Sequence, residues 1–180
     1  MVYIPKRSVS HILIFKKGRE NMLTTLCYLE KDNKYLMLHR NKKEIDINKG
    51  KWLGVGGKLE NGETPEECLR REVREETGYE LRNFKFRGIV TFIFEKFGKE
   101  IAEYMHLFSA KNVAGEPIEC NEGVFEWVYK NKVYDLSLWE GDKIFLKLLE
   151  NRSDFFSLKL VYDSDEKLIE VLLDGKEVRR

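Results

Sequence analysis

Three glutamates in one short stretch, Glu72, Glu75 and Glu76, have the residue type and spacing that metal-assisted chemistry needs. In a helix, positions i, i+3 and i+4 share one face, so the three carboxylates would converge. Their repulsion costs on the order of a few tenths of a kcal/mol per pair. A hard cation would offset that cost, because carboxylate oxygens suit Mg²⁺ or Mn²⁺. A solvated helix face is the alternative in a chain that is 35% charged.

The sequence marks both ends of the helix that would carry these glutamates. Thr64 is of the type that caps helix N-termini, Pro65 follows at the first helical position, and Glu67 completes a Thr-x-x-Glu capping box. Gly78 suits the position just after a helix, where left-handed backbone is common. Together these signals predict a helix from Pro65 to Thr77.

The glutamates belong to a longer pattern that ends at Gly78. The pattern is Gly57, five residues, Glu63, seven residues, and then Arg71-Glu72-Val73-x-Glu75-Glu76-x-Gly78. It resembles the signature box of the MutT/Nudix hydrolases at every fixed position, and only Tyr79 replaces a residue that is more often aliphatic. The resemblance implies a metal-dependent hydrolase that cleaves a diphosphate linked to another moiety, commonly a nucleoside.

The resemblance also implies roles within the box. Glu72 and Glu76, completed by Glu75, are expected to bind the metal with the backbone carbonyl of Gly56 and a carboxylate from a distant loop. Glu122, which precedes a predicted strand, is the candidate for that distant carboxylate. The general base that activates water is either Glu75 or Glu122, and the sequence does not decide between them.

Basic residues near the box are candidates for binding the phosphates of a substrate. Arg40, at the end of a predicted strand, and Lys58, after Gly57, can each reach phosphate oxygens, and a solvated side chain is the alternative for Lys58. Gly57, next to Lys58, is also predicted to bind substrate. Arg71 is grouped with the catalytic residues, but a structural role is the preferred interpretation for Arg71 and Glu63. Arg71 can form a salt bridge with Glu75 at i+4, and Glu63, just before the N-cap, can brace the loop.

Beyond the box, from about Thr24 onward, the chain is similar to the eukaryotic-type oxidised purine nucleoside triphosphatases, which hydrolyse 8-oxo-dGTP. That similarity implies that Trp139 stacks on the base and that Asp142 reads the base edge. It also implies that Thr25 and Arg40 line the pocket. Two alternatives remain open: Trp139 as a core residue that packs on a helix, and Asp142 as the N-cap of that helix.

Two residues depart from this branch of the family. Gly141 replaces the first of two adjacent aspartates, and Leu53 stands where the branch has an asparagine that hydrogen-bonds the purine. A site that reads a base by hydrogen bonds discriminates by orders of magnitude, whereas stacking alone tolerates any base. The two departures therefore leave the choice between oxidised and normal purines open.

The predicted elements around the box are strands and helices that together form an α/β fold. The strands are residues 22–30 and 35–38, joined at Asp32-Asn33, then 81–96, 101–110, 124–130 and two runs within 155–174. Residues 142–150 form a second amphipathic helix. A mixed sheet between helices accounts for these elements, and the resemblance likewise implies an α/β/α sandwich.

Bulk composition limits the remaining classes of function. The net charge is +1 over 180 residues, so the sequence has no broad basic surface and a nucleic-acid partner is not expected. No apolar run approaches the roughly 20 residues that span a bilayer. Three cysteines without a C-x-x-C pair favour reduced thiols and hence a cytoplasmic protein. The oligomeric state cannot be derived from the sequence.

We expect a single domain over residues 22–180, preceded by a basic extension of residues 1–21 that is either a translated leader, with Met22 as the start, or a real tail. The predicted function is Mg²⁺-dependent hydrolysis of oxidised purine nucleoside triphosphates to the monophosphate and pyrophosphate. The alternatives are the same chemistry on a nucleotide sugar, ADP-ribose or capped RNA, and a non-catalytic module that binds nucleotides.

Overall fold

The computed structural model describes residues 19–96 and 98–178. The elements in chain order are β1 Arg19–Lys31, β2 Lys34–His39, β3 Trp52–Leu53, α1 Pro65–Thr77, β4 Asn83–Lys96, β5 Lys99–Lys111, β6 Val124–Tyr129, α2 Lys130–Val133, α3 Glu140–Asn151, β7 Phe156–Tyr162, β8 Leu168–Leu173 and β9 Lys176–Glu177. Residues 1–18, most of the predicted extension, lie outside the described residues, so the choice between a leader and a tail stays a prediction. None of the described helices combines the length and the apolar character that crossing a bilayer requires.

The strands form one mixed sheet in the order β3-β2-β1-β5-β4-β7-β8-β9, with β6 paired to β2. β1 runs parallel to β5, and β4 runs parallel to β7, whereas the other pairs are antiparallel. The predicted α/β class with a mixed sheet is therefore confirmed. β1 begins at Arg19 and not at the predicted Met22, because its pairing with β5 already starts opposite Glu100.

Alternation along β1 divides the interior into two layers. Leu26 and Tyr28 belong to the cluster that contains Phe145 of α3. Cys27, between them, belongs to the cluster that contains Leu69 of α1. The two helices therefore cover opposite faces of the sheet, which is the predicted α/β/α sandwich.

Local signals determine α1, and its predicted bounds are confirmed. The Thr64 hydroxyl accepts a hydrogen bond from the Glu67 backbone N–H at 3.2 Å, and the Glu67 carboxylate accepts one from the Thr64 N–H at 2.9 Å. Gly78 ends the helix at a φ of 75°, a conformation that glycine adopts without strain. The helix that carries the three glutamates is thus fixed at both ends by its own sequence.

The second predicted helix needs a correction. It was expected over residues 142–150, but α3 begins at Glu140 with Trp139 as its N-cap residue. Asp142 lies inside the first turn, so the interpretation of Asp142 as the N-cap is wrong. The short elements α2 and β9 were not predicted, because four or two residues carry no measurable hydrophobic period.

Candidate active site

A glycine-containing segment, residues 54–57, lies against β1 and forms the floor of the site. The Thr25 N–H donates to the Gly57 carbonyl at 2.8 Å, and the Cys27 N–H donates to the Val55 carbonyl at 2.7 Å. Successive carbonyls of an extended segment alternate in direction, so the Gly56 carbonyl points away from β1. A Cβ atom on Gly56 would lie 2.7 Å from the Thr25 carbonyl carbon and 2.9 Å from Leu26 Cα, so only glycine allows this close approach.

Glu72 lies directly over this segment. A Cβ atom on Gly57 would be 2.5 Å from the Glu72 carboxylate carbon and 2.7 Å from Oε2. The Glu72 carboxylate also accepts a hydrogen bond from the Arg71 guanidinium at 2.8 Å. The absence of a side chain at Gly57 is therefore what lets helix α1 place a carboxylate against the loop.

Arg71 ties the helix to the loop that precedes it. Its Nε and Nη2 donate to the two oxygens of Glu63 at 2.7 and 2.9 Å, and Nη2 also donates to the Lys58 carbonyl at 3.1 Å. This bidentate pair lowers the pKa of Glu63 to about 2. The predicted i, i+4 contact with Glu75 is present but longer, at 3.3 Å. These contacts match the structural interpretation of Arg71, and a direct catalytic role stays a prediction.

Glu76 is the carboxylate of the box with the least favourable surroundings. Its Oε2 atom is buried and, within the part of the chain that the structure describes, has no hydrogen-bond partner. Burial, followed by the negative charges of Glu122 and Glu72, raises the pKa of Glu76 to about 8. Burial also raises the pKa of Glu72, against the opposing charge of Arg71. Two neighbouring carboxylates are thus held where ionisation is costly.

The third carboxylate, Glu122, reaches the same region from the loop before β6. Its side chain forms ion pairs with Arg40 and Lys43, and its charge acts on both Glu72 and Glu76. Arg40 also donates from Nε to Asp46 at 2.7 Å. The structure therefore brings the predicted distant carboxylate to the box, where its two oxygens are paired with Arg40 and Lys43.

The donor set fits a hard cation. Glu72, Glu76 and the Gly56 carbonyl offer only oxygen ligands, and a cation would supply the partner that Glu76 Oε2 lacks. No three acidic, histidine or cysteine side chains in residues 19–96 and 98–178 are already gathered as a metal site. A cation at this position would therefore have to draw the carboxylates together, with Glu122 exchanging its contact with Arg40.

Glu75 is placed differently from its two neighbours. Its side chain is 58% exposed and contacts Arg71. The cleft described below is bordered by Glu72, Glu76 and Glu122 but not by Glu75. This placement favours Glu122 over Glu75 among the two residues predicted as the general base.

One cleft of about 710 Å³ runs from these carboxylates to the N-terminal end of α3. We name the part of the cleft away from the carboxylates the base pocket. Its residues are Thr24, Asn48, Leu53, Phe92, Glu103, Trp139 and Asp142. The predicted residues Thr25, Arg40, Gly56, Gly57 and Lys58 also border the cleft. The structure therefore brings together every predicted metal and substrate residue except Glu75.

Trp139 forms part of the core and part of the base pocket. Its ring is only 7% exposed and packs edge-on against Phe92 and Tyr162. The indole N–H donates to the Asn48 side chain at 2.9 Å, and the Lys51 ammonium lies 4.8 Å from the ring centroid. Both interpretations of Trp139 therefore describe part of its surroundings.

Asp142 is a buried acceptor that faces the base pocket. Its Oδ2 atom is buried and has no hydrogen-bond partner in the described residues. Burial raises the pKa of Asp142 to about 8, although a backbone hydrogen bond at Trp139 acts in the opposite direction. An unsatisfied buried carboxylate is costly, and a ligand that donates a hydrogen bond would remove that cost.

Packing explains why glycine stands at position 141. The Gly141 N–H donates to the Tyr162 hydroxyl at 2.7 Å. An added Cβ atom would lie 2.9 Å from the same hydroxyl and closer still to the Leu160 side chain. An aspartate here would have to push aside the Leu160 and Tyr162 side chains and would break the hydrogen-bond geometry at the Tyr162 hydroxyl, so packing disfavours the first aspartate of the related branch in this chain. Leu53, the other departure, borders the cleft from β3 without offering a hydrogen bond.

A model of the NUDIX domain matches residues 20–149. The chain belongs to the NUDIX family. The uncharacterized Nudix hydrolase YvcI of Bacillus subtilis is 29% identical over 157 residues, covering 86% of this chain and 96% of the relative. The oxidized purine nucleoside triphosphate hydrolase of Danio rerio is 30% identical over 135 residues, covering 75% and 85%.

Structural comparison agrees with this assignment. The crystal structure of the MutT protein from Bacillus halodurans matches with a TM-score of 0.73 at 28% identity, covering 86% of this chain and 99% of that one. A shorter match reaches the GDP-mannose pyrophosphatase of Yersinia enterocolitica, 29% identical over 111 residues, which cover 59% and 55%. The resemblance drawn from the signature box is confirmed, and the protein is a Nudix hydrolase whose relatives differ in substrate.

In this Nudix hydrolase, sequence reasoning missed residues that β-sheet register brings into the base pocket. The Thr25 hydroxyl lies 3.5 Å from Cys68 Sγ under α1, whereas Thr24, on the opposite face of β1, donates to Glu103 at 2.7 Å. Glu103 lies between Ile101 and Met105 on the same face of β5, and all three border the cleft. An acidic residue within an apolar strand face was the available signal.

The burial of Asp142 predicts a pH dependence of stability. Because its pKa is raised in the folded state, the folded protein holds a proton that the unfolded chain loses between about pH 4 and pH 8. The free energy of unfolding should fall with rising pH by up to about 1.4 kcal/mol per unit in that window. Urea unfolding at pH 5, 6 and 7 should show a smaller slope in Asp142→Asn than in wild type, and the slope that is left comes from Glu76, whose pKa is also raised to about 8. Asp165→Asn, exposed before β8, is the control and should keep the wild-type slope; equal slopes in all three proteins would contradict the prediction.

Proposed function

We propose that this Nudix hydrolase is a Mg²⁺-dependent pyrophosphohydrolase of purine nucleoside triphosphates, with oxidised purines such as 8-oxo-dGTP as preferred substrates. The products are the nucleoside monophosphate and pyrophosphate. The observation that carries the proposal is the continuous cleft of about 710 Å³, which has carboxylates at one end and an aromatic pocket with an unpartnered carboxylate at the other. Its volume suits one small-molecule nucleotide.

The carboxylate end suits the phosphates. Glu72, Glu76 and the Gly56 carbonyl are the proposed metal ligands, with Glu122 completing the set after release from Arg40. When bound, Mg²⁺ neutralises polyphosphate charge and acidifies water, and Mn²⁺ shares its preference for oxygen ligands. Arg71 fixes helix α1 to the loop, so the carboxylates keep their spacing from the Gly56–Gly57 segment.

The remaining groups of this end position the reacting atoms. Arg40 and Lys58 border the cleft and are cations that can bind the phosphate oxygens once Glu122 turns toward the metal. Glu122, released from its ion pairs, is the carboxylate best placed to accept a proton from the attacking water. Glu75 lies outside the cleft and is left with a supporting role through Arg71.

The base pocket supports a purine. Trp139 and Phe92 supply aromatic surface, and the Asp142 carboxylate supplies an acceptor that lacks a partner among the described residues. A buried unpaired acceptor discriminates strongly against ligands that cannot donate to it. The relative from Danio rerio is an oxidized purine nucleoside triphosphate hydrolase, and its match covers 75% of this chain.

The alternative is the same chemistry on another nucleoside diphosphate derivative, such as a nucleotide sugar. It is favoured by Leu53 and Gly141, which remove two hydrogen-bonding side chains from the pocket, and by the match to a GDP-mannose pyrophosphatase. A panel of substrates separates the two proposals. We would measure phosphate products with Mg²⁺ from 8-oxo-dGTP, the four normal deoxynucleoside triphosphates, GDP-mannose and ADP-ribose.

The expected result is pyrophosphate release with kcat/KM at least about tenfold higher for 8-oxo-dGTP than for dGTP. Equal activity on all nucleoside triphosphates would keep the reaction and remove the oxidised-purine assignment. Hydrolysis of GDP-mannose or ADP-ribose, with none of the triphosphates cleaved, would overturn the proposal in favour of the alternative.

A further inference from the structure

Glu103 is a second buried carboxylate in the base pocket, on the wall formed by the sheet. It lies in β5 directly between Met22 of β1 and Phe92 of β4. Side chains of directly paired residues share a face of the sheet, and Met22, Phe92 and Glu103 all border the cleft. Two residues to either side, Ile101 and Met105 border it as well, so Glu103 interrupts an otherwise apolar wall.

The surroundings of Glu103 do not explain its presence. Within residues 19–96 and 98–178, its hydrogen bond comes from the Thr24 hydroxyl, which donates to Oε1 at 2.7 Å. Burial raises the pKa of Glu103, and only the more distant charge of Lys58 and the Thr24 bond oppose that effect. Methionine or leucine would fill the same space without this cost.

Glu103 and Asp142 face the same space from different elements. Asp142 projects from the first turn of α3, Glu103 projects from the sheet, and the charge of Glu103 acts on the Asp142 carboxyl. Each offers an oxygen that can accept a hydrogen bond from a ligand. A planar base that lies against the Phe92 and Trp139 rings would meet an acceptor at two of its edges.

Few bases donate at two edges. The Watson–Crick edge of guanine donates through N1–H and its amino group, but N7 on the opposite edge carries a lone pair, as it does in adenine. Oxidation at C8 to the keto form places a hydrogen on N7 and converts that acceptor into a donor. A carboxylate facing N7 attracts the oxidised base and repels the normal base.

We propose that Glu103 is a specificity-determining residue, which accepts a hydrogen bond from N7–H of an 8-oxopurine whose other edge is bound by Asp142. This inference rests on the proposed function and deepens it. It supplies a physical reason for selectivity in a pocket where Leu53 and Gly141 provide no hydrogen-bonding side chain. It also predicts that both 8-oxoguanine and 8-oxoadenine nucleotides are selected, because N7–H is common to both.

The test compares wild type with Glu103→Met, which keeps the length of the side chain and removes its acceptors. For wild type and variant, kcat/KM is measured with 8-oxo-dGTP, dGTP, 8-oxo-dATP and dATP, and calorimetry measures binding of 8-oxo-dGMP and dGMP. We expect Glu103→Met to reduce the preference for the oxidised base at least about tenfold in both the guanine and the adenine pair, mainly because the oxidised ligand binds more weakly. Glu103→Gln should also reduce it, because its amide can donate to an unmodified N7.

The matched control is Glu170→Met, the same substitution on strand β8, where Glu170 pairs with Lys159 at the surface. It should leave both preferences unchanged. Because Glu103→Met removes a buried charge, its Tm should equal or exceed that of wild type. A fall in Tm together with an unchanged preference would show that Glu103 is structural and would overturn the inference.

The calorimetric readout separates the two proposals. Selective binding of 8-oxo-dGMP that depends on Glu103, without turnover of any triphosphate, would refute the proposed reaction and retain the role of Glu103. Strong turnover of 8-oxo-dGTP with a preference that Glu103→Met leaves intact would retain the reaction and refute the role of Glu103. No preference for the oxidised base in wild type, in either measurement, would overturn the inference.

Discussion

Glu76→Gln is expected to lower kcat at least about 100-fold with every substrate that the enzyme accepts. Glu76 has one buried oxygen without a partner among the described residues, and its carboxylate is raised in energy by burial and by Glu122 and Glu72. A bound cation would remove this cost, so we expect Glu76 to contribute more to metal binding than the other ligands. Glutamine keeps the size of the side chain but loses the charge, so metal affinity falls while the shape of the cleft is kept.

We expect the same substitution to lower activity but to raise stability in the absence of metal. Without metal, Glu76→Gln removes a buried carboxylate that its neighbours repel, so the variant should have a higher Tm than wild type. Added Mg²⁺ should raise the Tm of wild type by mass action and raise that of the variant much less. Thermal unfolding with and without MgCl₂, alongside steady-state kinetics, measures both effects.

The control for this experiment is Glu66→Gln, an exposed glutamate in the first turn of the same helix. It should leave kcat and the Mg²⁺-dependent shift in Tm close to those of wild type. Wild-type kcat in Glu76→Gln would show that the cation is bound without Glu76. Loss of activity with an undiminished Mg²⁺ shift would assign Glu76 to the chemistry and not to the metal.

How much of this site could be predicted depends on how far apart in the chain its members lie. The helix α1 was predicted to the residue, because Thr64, Glu67 and Gly78 act within a few positions of one another. Arg71 and Glu63 were both predicted to have structural roles, with Glu75 as the partner of Arg71, and the structure pairs Arg71 with Glu63 at 2.7 Å and with Glu75 at 3.3 Å. In both cases the contacts depend on a loop and a helix whose geometry the local sequence determines.

The base pocket was predicted less completely, because it depends on long-range register. Thr24 and Glu103 meet across 79 positions, and the parallel pairing of β1 with β5 decides that they share a face. Asn48 reaches Trp139 across 91 positions from a loop without regular structure. Period-two patterns indicate which residues of a strand share a face, but not which strand lies beside it.

The ion pairs around Glu122 show a third kind of difficulty. Glu122 was predicted as a metal ligand and Arg40 as a residue that binds phosphate, and the structure joins the two directly. Without a metal and a phosphate to bind, the Glu122 carboxylate and the Arg40 guanidinium attract each other, so their ion pair is what simple electrostatics favours. Sequence patterns identify such residues by their role with substrate and carry no information on how they pair without it.

Gly57→Ala is expected to lower kcat at least about 100-fold while leaving the fold largely intact. The added methyl would lie 2.5 Å from the carboxylate carbon of Glu72, so that carboxylate has to move. Glu72 is the far end of a flexible side chain, and its displacement costs little stability. It does remove an oxygen ligand from its place over the loop, and a shift of this size is large for groups that must be aligned.

Gly56→Ala provides the contrast, because its methyl would meet backbone instead of a side chain. It would lie 2.7 Å from the Thr25 carbonyl carbon and 2.9 Å from Leu26 Cα, so β1 and the loop would have to separate. We therefore expect Gly56→Ala to lower Tm strongly and Gly57→Ala to lower it by only a few degrees. Gly175→Ala, in the turn before β9, meets nothing within 4 Å but has a φ of 75°. It controls for the added methyl and should cost roughly 1 kcal/mol in stability without a change in kcat.

Kinetics and thermal unfolding of the three alanine variants distinguish loss of alignment from loss of structure. Equal losses of Tm at positions 56 and 57 would mean that the loop supports the fold at both, and that its glycines are not specific to the site. Full activity of Gly57→Ala at wild-type Tm would mean that Glu72 acts from a position other than the one over the loop. The expected separation, stability at Gly56 and activity at Gly57, would assign adjacent glycines of one loop to different physical tasks: one lets the loop approach β1, and the other lets a carboxylate approach the loop.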